Sequence, residues 1–166
     1  MATLTHFGRL LSLVLWVGGI AFFAFAVAPV AFSRLPNAHE AGLVVGGTLR
    51  VLHGLGLVCG FVFVGLTLAI ARRIASRRLV SAELALALGM LAITAYSQFR
   101  VLPAMDVFRA QAGGDIAIAN LENAARVHFE DLHKLSERLE GTVLLGGITL
   151  LFAFVSEHKI VRTLDS

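Results

Sequence analysis

The chain has 166 residues, of which 57% are hydrophobic and only 15% charged, and its mean hydropathy is +0.82. Soluble domains carry about 25% charged residues, so this composition excludes an ordinary water-soluble domain and indicates a single polytopic membrane domain over residues 1–166. The net charge of +3 does not indicate nucleic-acid binding, because the basic residues adjoin apolar segments. The single cysteine, Cys59, excludes an intrachain disulfide, and its apolar surroundings predict a buried, unreactive thiol.

Four apolar segments predict four transmembrane helices. The first, residues 10–32, exceeds the apolar core of a signal peptide, which has about 7–15 residues, and is therefore predicted to be retained. After a turn, Asn37 with Glu40 three residues later predicts the N-terminus of the second helix. That helix begins with a semi-polar part, and its span covers residues 51–71. A bend is predicted at Gly46-Gly47.

The second helix also carries two pairs of glycines at a spacing of four residues, Gly42 with Gly46 and Gly56 with Gly60. Each pair places small residues on one helix face, which permits close packing of helices in lipid. The pattern is common in membrane helices, so it predicts packing and indicates no particular function.

The third span, residues 79–102, is predicted to stop at Pro103, because proline disrupts the hydrogen bonding of an α-helix. A short helix over residues 105–111 follows. A polar loop containing Gly113-Gly114 then leads to the fourth helix, which is predicted to begin near residues 120–123.

The fourth span, residues 139–157, is short. Its charge-free part, residues 141–156, has 16 residues. That length reaches roughly 24 Å, whereas a bilayer core needs about 30 Å. The preceding polar turn must therefore lie at the membrane edge or below it, where a carboxylate needs a partner charge, a protein interior or water. This requirement applies most strongly to Glu140 and less strongly to Glu137. The polar first half of the helix is predicted to extend beyond the membrane.

The basic residues predict the orientation in the membrane. Those closest to the span ends are concentrated on the side of both termini, at Arg9, in the arginine-rich loop 72–78, and at Lys159 and Arg162. The positive-inside rule therefore predicts a multi-pass protein with both termini in the cytoplasm, most simply in a bacterial inner membrane.

Polar side chains of the fourth helix gather on one face at the predicted non-cytoplasmic end. At 100° per residue, five of them fall within an arc of about 80° over four turns. They are Arg126, Glu130, His133, Glu137 and Glu140.

Three interpretations of this face remain open. His133, Glu137 and Glu140 could hold a divalent metal if His53 of the second helix added a ligand. Alternatively, residues at the end of the third span could neutralise the carboxylates; these are Tyr96, Gln98 and Arg100. The third interpretation is the solvated face of an amphipathic helix with structural ion pairs.

Several stretches resemble the transmembrane protein 205-like family. They are residues 16–32 with Arg34-Leu-Pro36, residues 96–105 (Tyr-Ser-Gln-Phe-Arg-Val-Leu-Pro-Ala-Met), and His133-Lys-Leu-Ser136 with Glu140. The similarity covers nearly the whole chain. Bacterial members are largely a domain of unknown function, and a eukaryotic member is associated with platinum-drug resistance, which implies metal or vesicle handling. The resemblance implies a role for His133 and Ser136.

The family is also distantly similar to copper-resistance D proteins and to haem-containing membrane protoporphyrinogen oxidases. In those proteins a histidine stands seven or eight residues before the first-helix tryptophan. Here the tryptophan is Trp16, the two positions hold Arg9 and Gly8, and the nearest histidine is His6. Haem ligation on helix one is therefore not implied.

These observations predict an all-α bundle of four transmembrane helices, with helix four extended beyond the membrane. The leading functional prediction is a non-enzymatic structural or accessory subunit of a membrane assembly, held together by the polar cluster. The alternatives are a metal- or haem-binding protein, with His53, His133, Glu137 and Glu140 as metal ligands, or a small transporter. The expected partners are the lipid bilayer and other membrane subunits or a second copy, without nucleic acid.

Overall fold

Every regular element in the described part of the chain is helical. The computed structural model describes residues 2–71 and 77–164, with side chains over residues 3–71 and 77–156. The elements are α1 Ala2–Phe22, a first π segment Phe23–Val27, α2 Ala28–Arg34, α3 Ala38–Ile70, α4 Arg77–Tyr96, a second π segment Ser97–Val101, α5 Leu102–Gln111 and α6 Ala124–Leu164.

These elements form four continuous rods that are long and apolar enough to cross a membrane: Thr3–Arg34, Ala38–Ile70, Arg77–Gln111 and Ala124–Ser156. Large apolar side chains are exposed along them, including Phe25 at 77% and Phe152 at 76%. In water such exposure would be costly, whereas in a bilayer these side chains contact lipid. The predicted all-α four-helix membrane bundle is confirmed.

The rods pack as a ring in which α1 contacts α3, α3 contacts α4, α4 contacts α6 and α6 returns to α1. Successive rods run in opposite directions. One end of the bundle, here called the Arg9 end, contains the starts of α1 and α4. The other end, here called the α2 end, contains α2, the start of α3, α5 and the start of α6. There α5 packs against α6, so the polar half of α6 has a protein neighbour.

Side-chain caps start both helices at the α2 end. The Asn37 side chain accepts a hydrogen bond from the Glu40 backbone N–H at 2.9 Å and donates one to the Glu40 carboxylate at 3.1 Å, as predicted. From there α3 continues without interruption to Ile70, through Gly46 and Gly47. The Asn123 side chain accepts from the Ala125 backbone N–H at 2.9 Å and starts α6 close to the predicted position.

The prediction that the third helix stops at Pro103 is wrong. The second π segment immediately precedes it, and the Leu102 N–H donates to the Ser97 carbonyl five residues back. The first π segment precedes Pro29 in the same way, with the Ala28 N–H donating to Phe23. A proline ring clashes with the carbonyl four residues back in a regular α-helix, and the wider π turn accommodates it. Both helices therefore continue past their prolines.

Only one of the two glycine pairs mediates close packing. A Cβ atom at Gly56 would lie 2.6 Å from Nε1 of Trp16, and one at Gly60 would lie 2.7 Å from the same indole. Trp16, 1% exposed, therefore fills a groove that glycine leaves on α3. The pair Gly42 and Gly46 behaves differently, because a Cβ at Gly46 would meet nothing within 4 Å.

A buried ion pair lies inside the Arg9 end of the bundle. An Nη atom of Arg9 lies 2.5 Å from a carboxylate oxygen of Glu83, and the side chains are 0% and 2% exposed. The Arg9 guanidinium carbon also lies 5.4 Å from the ring centroid of Phe63 and 4.9 Å from that of Phe154. Arg9 was predicted to mark the cytoplasmic side of the membrane, and no structural role was predicted for Glu83. Both instead belong to the core, because α1 begins eight residues before the predicted span.

Of the other basic side chains used for the topology prediction, those of Arg77 and Arg78 are exposed at the start of α4, and those of Arg72, Arg73, Lys159 and Arg162 lie outside the described part of the chain.

The buried pair leads to a stability prediction. Glu83→Leu should lower the free energy of unfolding by about 3–5 kcal/mol, because it leaves the buried guanidinium of Arg9 uncompensated. Replacing both members, as Arg9→Met with Glu83→Leu, should restore most of that loss. Equilibrium unfolding of the purified variants in detergent measures both values. A double variant as unstable as the sum of the two single variants would contradict the prediction.

Candidate functional site

A cavity of about 770 Å³ lies within the α2 end of the bundle. The part deeper in the bundle is apolar and is lined by Ile20, Phe23, Leu49, Leu102, Met105 and Leu144. The part nearer the helix ends is polar and is lined by His39, Arg109, Asp115, Arg126, His133, Ser136, Glu137 and Glu140. The cavity therefore offers an apolar interior and a charged rim to the same occupant.

Small residues keep this cavity open. Gly42, Gly46 and Gly141 line it, and a Cβ atom at Gly46 or Gly141 would meet nothing within 4 Å. At Gly42 the nearest atom would be Nη2 of Arg109, at 4.0 Å. The pair Gly42 and Gly46 thus faces the cavity, whereas the pair Gly56 and Gly60 packs against Trp16.

Both π segments adjoin the cavity. Phe23 and Ala24 of the first segment line it, as does Leu102, which follows the second. The two stretches share one pattern, Phe-x-Val-x-Pro, as Phe25-Ala-Val-Ala-Pro29 and Phe99-Arg-Val-Leu-Pro103. Single-turn π segments occur frequently at functional sites, and their position here supports the cavity as the candidate functional site.

The loop between α5 and α6 covers the rim of the cavity. Gly113 and Gly114 have φ angles of +96° and +91°, a backbone conformation that favours glycine. The Gly114 N–H donates to the Arg109 carbonyl at 2.9 Å and so caps the C-terminal turn of α5. The Asp115 side chain accepts from the Ala117 N–H at 2.8 Å and lies 3.8 Å from His39. The loop thereby brings Asp115 to the rim.

A three-residue polar contact lies in the wall of the cavity. Nε2 of His53 is 2.5 Å from a Glu140 carboxylate oxygen, and Nδ1 of His53 is 3.2 Å from Oε1 of Gln98. His53 is 2% exposed and Glu140 15% exposed. Glu140 therefore has the internal partner that the short last span required, and that partner comes from α3.

The predicted metal-binding set is divided between two places. His133 and Glu137 form an i, i+4 pair at 3.3 Å on the surface of α6, with side chains 48% and 67% exposed. His53 and Glu140 meet inside the bundle. Within residues 2–71 and 77–164, no group of three or more histidine, cysteine or acidic side chains could hold a metal ion. Metal binding by these four residues is therefore not supported.

The other residues predicted for the polar cluster also separate. Arg126 donates to Glu130 at 2.9 Å and to the Ala119 carbonyl at 2.5 Å. Ser136 is 4% exposed and lines the cavity. Tyr96 and Arg100 are exposed and line a separate depression outside the cavity, and among the described residues Arg100 forms no ion pair with a carboxylate of α6.

Sequence analysis missed three further polar contacts at this end. Arg109 stacks over Phe129, with 5.1 Å from guanidinium carbon to ring centroid. Arg50 is paired with Asp106, and His39 lies near Asp115. The first contact joins α5 to α6, and the other two join α3 to α5 and the following loop, so no helix periodicity could have indicated them. The sequence did contain one signal for this end of the bundle. The repeated Phe-x-Val-x-Pro pattern marks the two helices that continue past a proline.

Residues 11–113 match the model of a family described as a domain of unknown function, DUF4149. The chain belongs to this family. The matched region runs from α1 to the end of α5, so it contains His53, Gln98 and Arg109 but not the residues of α6. Comparisons with curated proteins and with solved structures give no match. The relationships to the transmembrane protein 205-like and copper-resistance D families stay predictions.

The burial of Glu140 leads to a stability prediction, and a matched control position lies on the same helix. Glu140→Leu should lower the free energy of unfolding by about 1–3 kcal/mol, because it removes a hydrogen-bond partner from buried His53. Glu137→Leu, an equivalent change at an exposed position of the same helix, should stay within about 0.5 kcal/mol. Detergent unfolding measures both, and equal effects would count against an internal role for Glu140.

Proposed function

We propose that this protein is a non-enzymatic integral membrane protein that binds an amphipathic small molecule in the cavity at its α2 end. The observation that carries the proposal is the division of a cavity of about 770 Å³ into an apolar interior and a charged rim. Sites for small molecules commonly have volumes of about 300–1,000 Å³, mostly apolar walls and a few placed polar groups. An acyl or similar apolar chain would occupy the interior, and a polar head group would lie at the rim.

The position of the cavity favours an amphiphile over a water-soluble ligand. Its apolar walls belong to the membrane-spanning rods, at residues such as Ile20 and Leu144. Its polar walls belong to the start of α3, α5, the following loop and the first half of α6, and apart from Glu140 they lie outside the spans predicted from the sequence. A molecule from the bilayer already has its apolar and polar parts at these two depths.

Storage or presentation of such a molecule is better supported than its transport. Between the cavity and the Arg9 end the bundle interior is filled by large side chains, including Leu13, Trp16, Phe63 and Leu150, each no more than 1% exposed. The predicted role as an accessory subunit is compatible with ligand binding. Association with other membrane subunits or with a second copy stays part of the proposal.

The orientation proposed for the chain places both termini in the cytoplasm and the cavity on the opposite side, in a bacterial inner membrane. Its support is the concentration of basic residues in the segment 72–78 and at Lys159 and Arg162, near the span ends on the side of the termini, without the buried Arg9. An amphiphile would then come from the outer leaflet of that membrane.

Filling the cavity should weaken ligand binding. Gly46→Leu introduces a side chain into the open space that Gly46 faces. Gly54→Leu is a matched control on the same helix, because a Cβ there also meets nothing within 4 Å but Gly54 does not line the cavity. Native mass spectrometry of gently solubilised protein should show a co-purified amphiphile in the wild type and in Gly54→Leu, and several-fold less in Gly46→Leu. Equal occupancy in all three proteins would contradict the proposal.

The orientation can be tested with single cysteines in a Cys59→Ala background. A cysteine replacing Ile118, which is 83% exposed in the loop after α5, should react with a membrane-impermeant maleimide in intact spheroplasts. A cysteine replacing Thr3 should react only after permeabilisation. The reverse pattern of labelling would place the cavity on the cytoplasmic side.

A further inference from the structure

The rim of the cavity contains both acidic and basic side chains, and their partners determine which of them remains available to a ligand. Three carboxylates line the rim, and each has a histidine neighbour. The contacts are Asp115 with His39 at 3.8 Å, Glu137 with His133 at 3.3 Å, and Glu140 with His53 at 2.5 Å.

The two arginines that line the rim differ in the number of hydrogen bonds that they donate to other residues of the protein. Arg126 donates to the Glu130 carboxylate at 2.9 Å and to the Ala119 carbonyl at 2.5 Å. Arg109 comes no closer to a carboxylate than 3.8 Å, at Asp106, and that aspartate is already paired with Arg50. Within the part of the chain that the structure describes, the Arg109 guanidinium donates no hydrogen bond to a protein acceptor.

The guanidinium of Arg109 is nevertheless held in place. It lies 5.1 Å from the ring centroid of Phe129, its side chain is 18% exposed, and its Nη2 atom faces the space beside Gly42. Desolvated hydrogen-bond donors are costly when they lack acceptors. A guanidinium offers a planar fork of donors that fits phosphate and carboxylate groups. Arg109 is therefore positioned for an oxyanion that the protein does not supply.

Ser136 adds a second polar group to the same cavity. It is 4% exposed, and its hydroxyl makes no hydrogen bond with any residue that the structure describes. In contrast, Thr142 and Thr149 of the same helix donate to carbonyls four residues back. The Ser136 hydroxyl thus remains available to an occupant of the cavity.

We infer that the occupant is an anionic amphiphile, and that Arg109 binds its oxyanion head group while the apolar interior takes its chain. This inference rests on the proposed function and adds the charge and chemistry of the ligand. A cationic head group would have to share a carboxylate with the histidine already beside it, whereas an oxyanion meets guanidinium donors that make no hydrogen bond to the described residues. The head group could be the phosphate of a phospholipid or the carboxylate of a fatty acid, since both fit the same guanidinium.

The inference is tested by native mass spectrometry titrations of the full-length protein in detergent. The probes are a dioleoyl phosphatidylglycerol, oleate, a dioleoyl lipid with a trimethylammonium head group, and soluble glycerol 3-phosphate. We expect phosphatidylglycerol or oleate to bind at least about ten-fold more tightly than the cationic lipid, as a charge-assisted bidentate contact implies. Which of the two binds more tightly distinguishes a phosphate from a carboxylate. Preference for the cationic lipid, or equal affinity for glycerol 3-phosphate, would overturn the inference.

Variants assign the effect to Arg109. Arg109→Gln should weaken binding of the anionic lipid by about ten-fold, and Arg109→Lys by several-fold, because lysine keeps the charge but loses the fork. Arg100→Gln is the matched control, since Arg100 is an exposed arginine at the same end but outside the cavity. If Arg109→Gln does not fold, unchanged affinity in Arg109→Lys would overturn the inference.

The outcomes also separate this inference from the proposed function. Loss of lipid binding in Gly46→Leu, with unchanged binding in Arg109→Gln, would refute the role of Arg109 and leave the cavity as a binding site. Failure of the wild type to bind any of the amphiphiles would refute both.

Discussion

An ionisable side chain inside a membrane-spanning bundle has to find a partner within the protein, and this constraint accounts for the polar groups of the core. The bundle satisfies it twice. At one end Arg9 pairs with Glu83 between α1 and α4, and two aromatic rings flank the guanidinium. At the other end Glu140 of α6 meets His53 of α3, which also contacts Gln98 after α4. The two contacts together involve all four rods, so each helix is tied to another through a group that lipid cannot solvate.

Glycine has two opposite effects along a single helix. Near the centre of α3, Gly56 and Gly60 let the indole of Trp16 approach the backbone, so that α1 and α3 pack closely there. About four turns earlier, Gly42 and Gly46 meet no comparable side chain, and the same lack of a Cβ leaves a cavity. The difference comes from the facing helix, which presents Trp16 at one level and smaller groups such as Ala24 and Ala28 at the other. Two glycines four residues apart therefore indicate close packing only when the partner helix supplies a large residue.

The sequence was sufficient for the class of fold, because four long apolar segments with short connections leave few alternatives in a bilayer. It also indicated that Glu140 needs an internal partner, since that conclusion depends only on the length of the last span. It could not indicate which residues share the α2 end, because Arg109, Asp115 and Phe129 come from elements whose relative rotation is a tertiary property. The grouping of His133 and Glu137 with His53 failed for a related reason. Residues within one arc of a helix can still divide between its buried edge and its exposed edge.

The π segments determine which side of each following helix faces the cavity. A π turn contains one residue more than the α turn that it replaces, so the helix that follows is turned by about 100° relative to an uninterrupted helix. Beyond the second π segment, that turn determines which residues of α5 face α6, and Arg109 and Met105 are among those that line the cavity. Loss of one residue from Ser97–Val101 would preserve the span and the composition of the helix but direct a different set of side chains inward. The phase of a helix, as distinct from its length or its hydropathy, thus determines which side chains line the cavity.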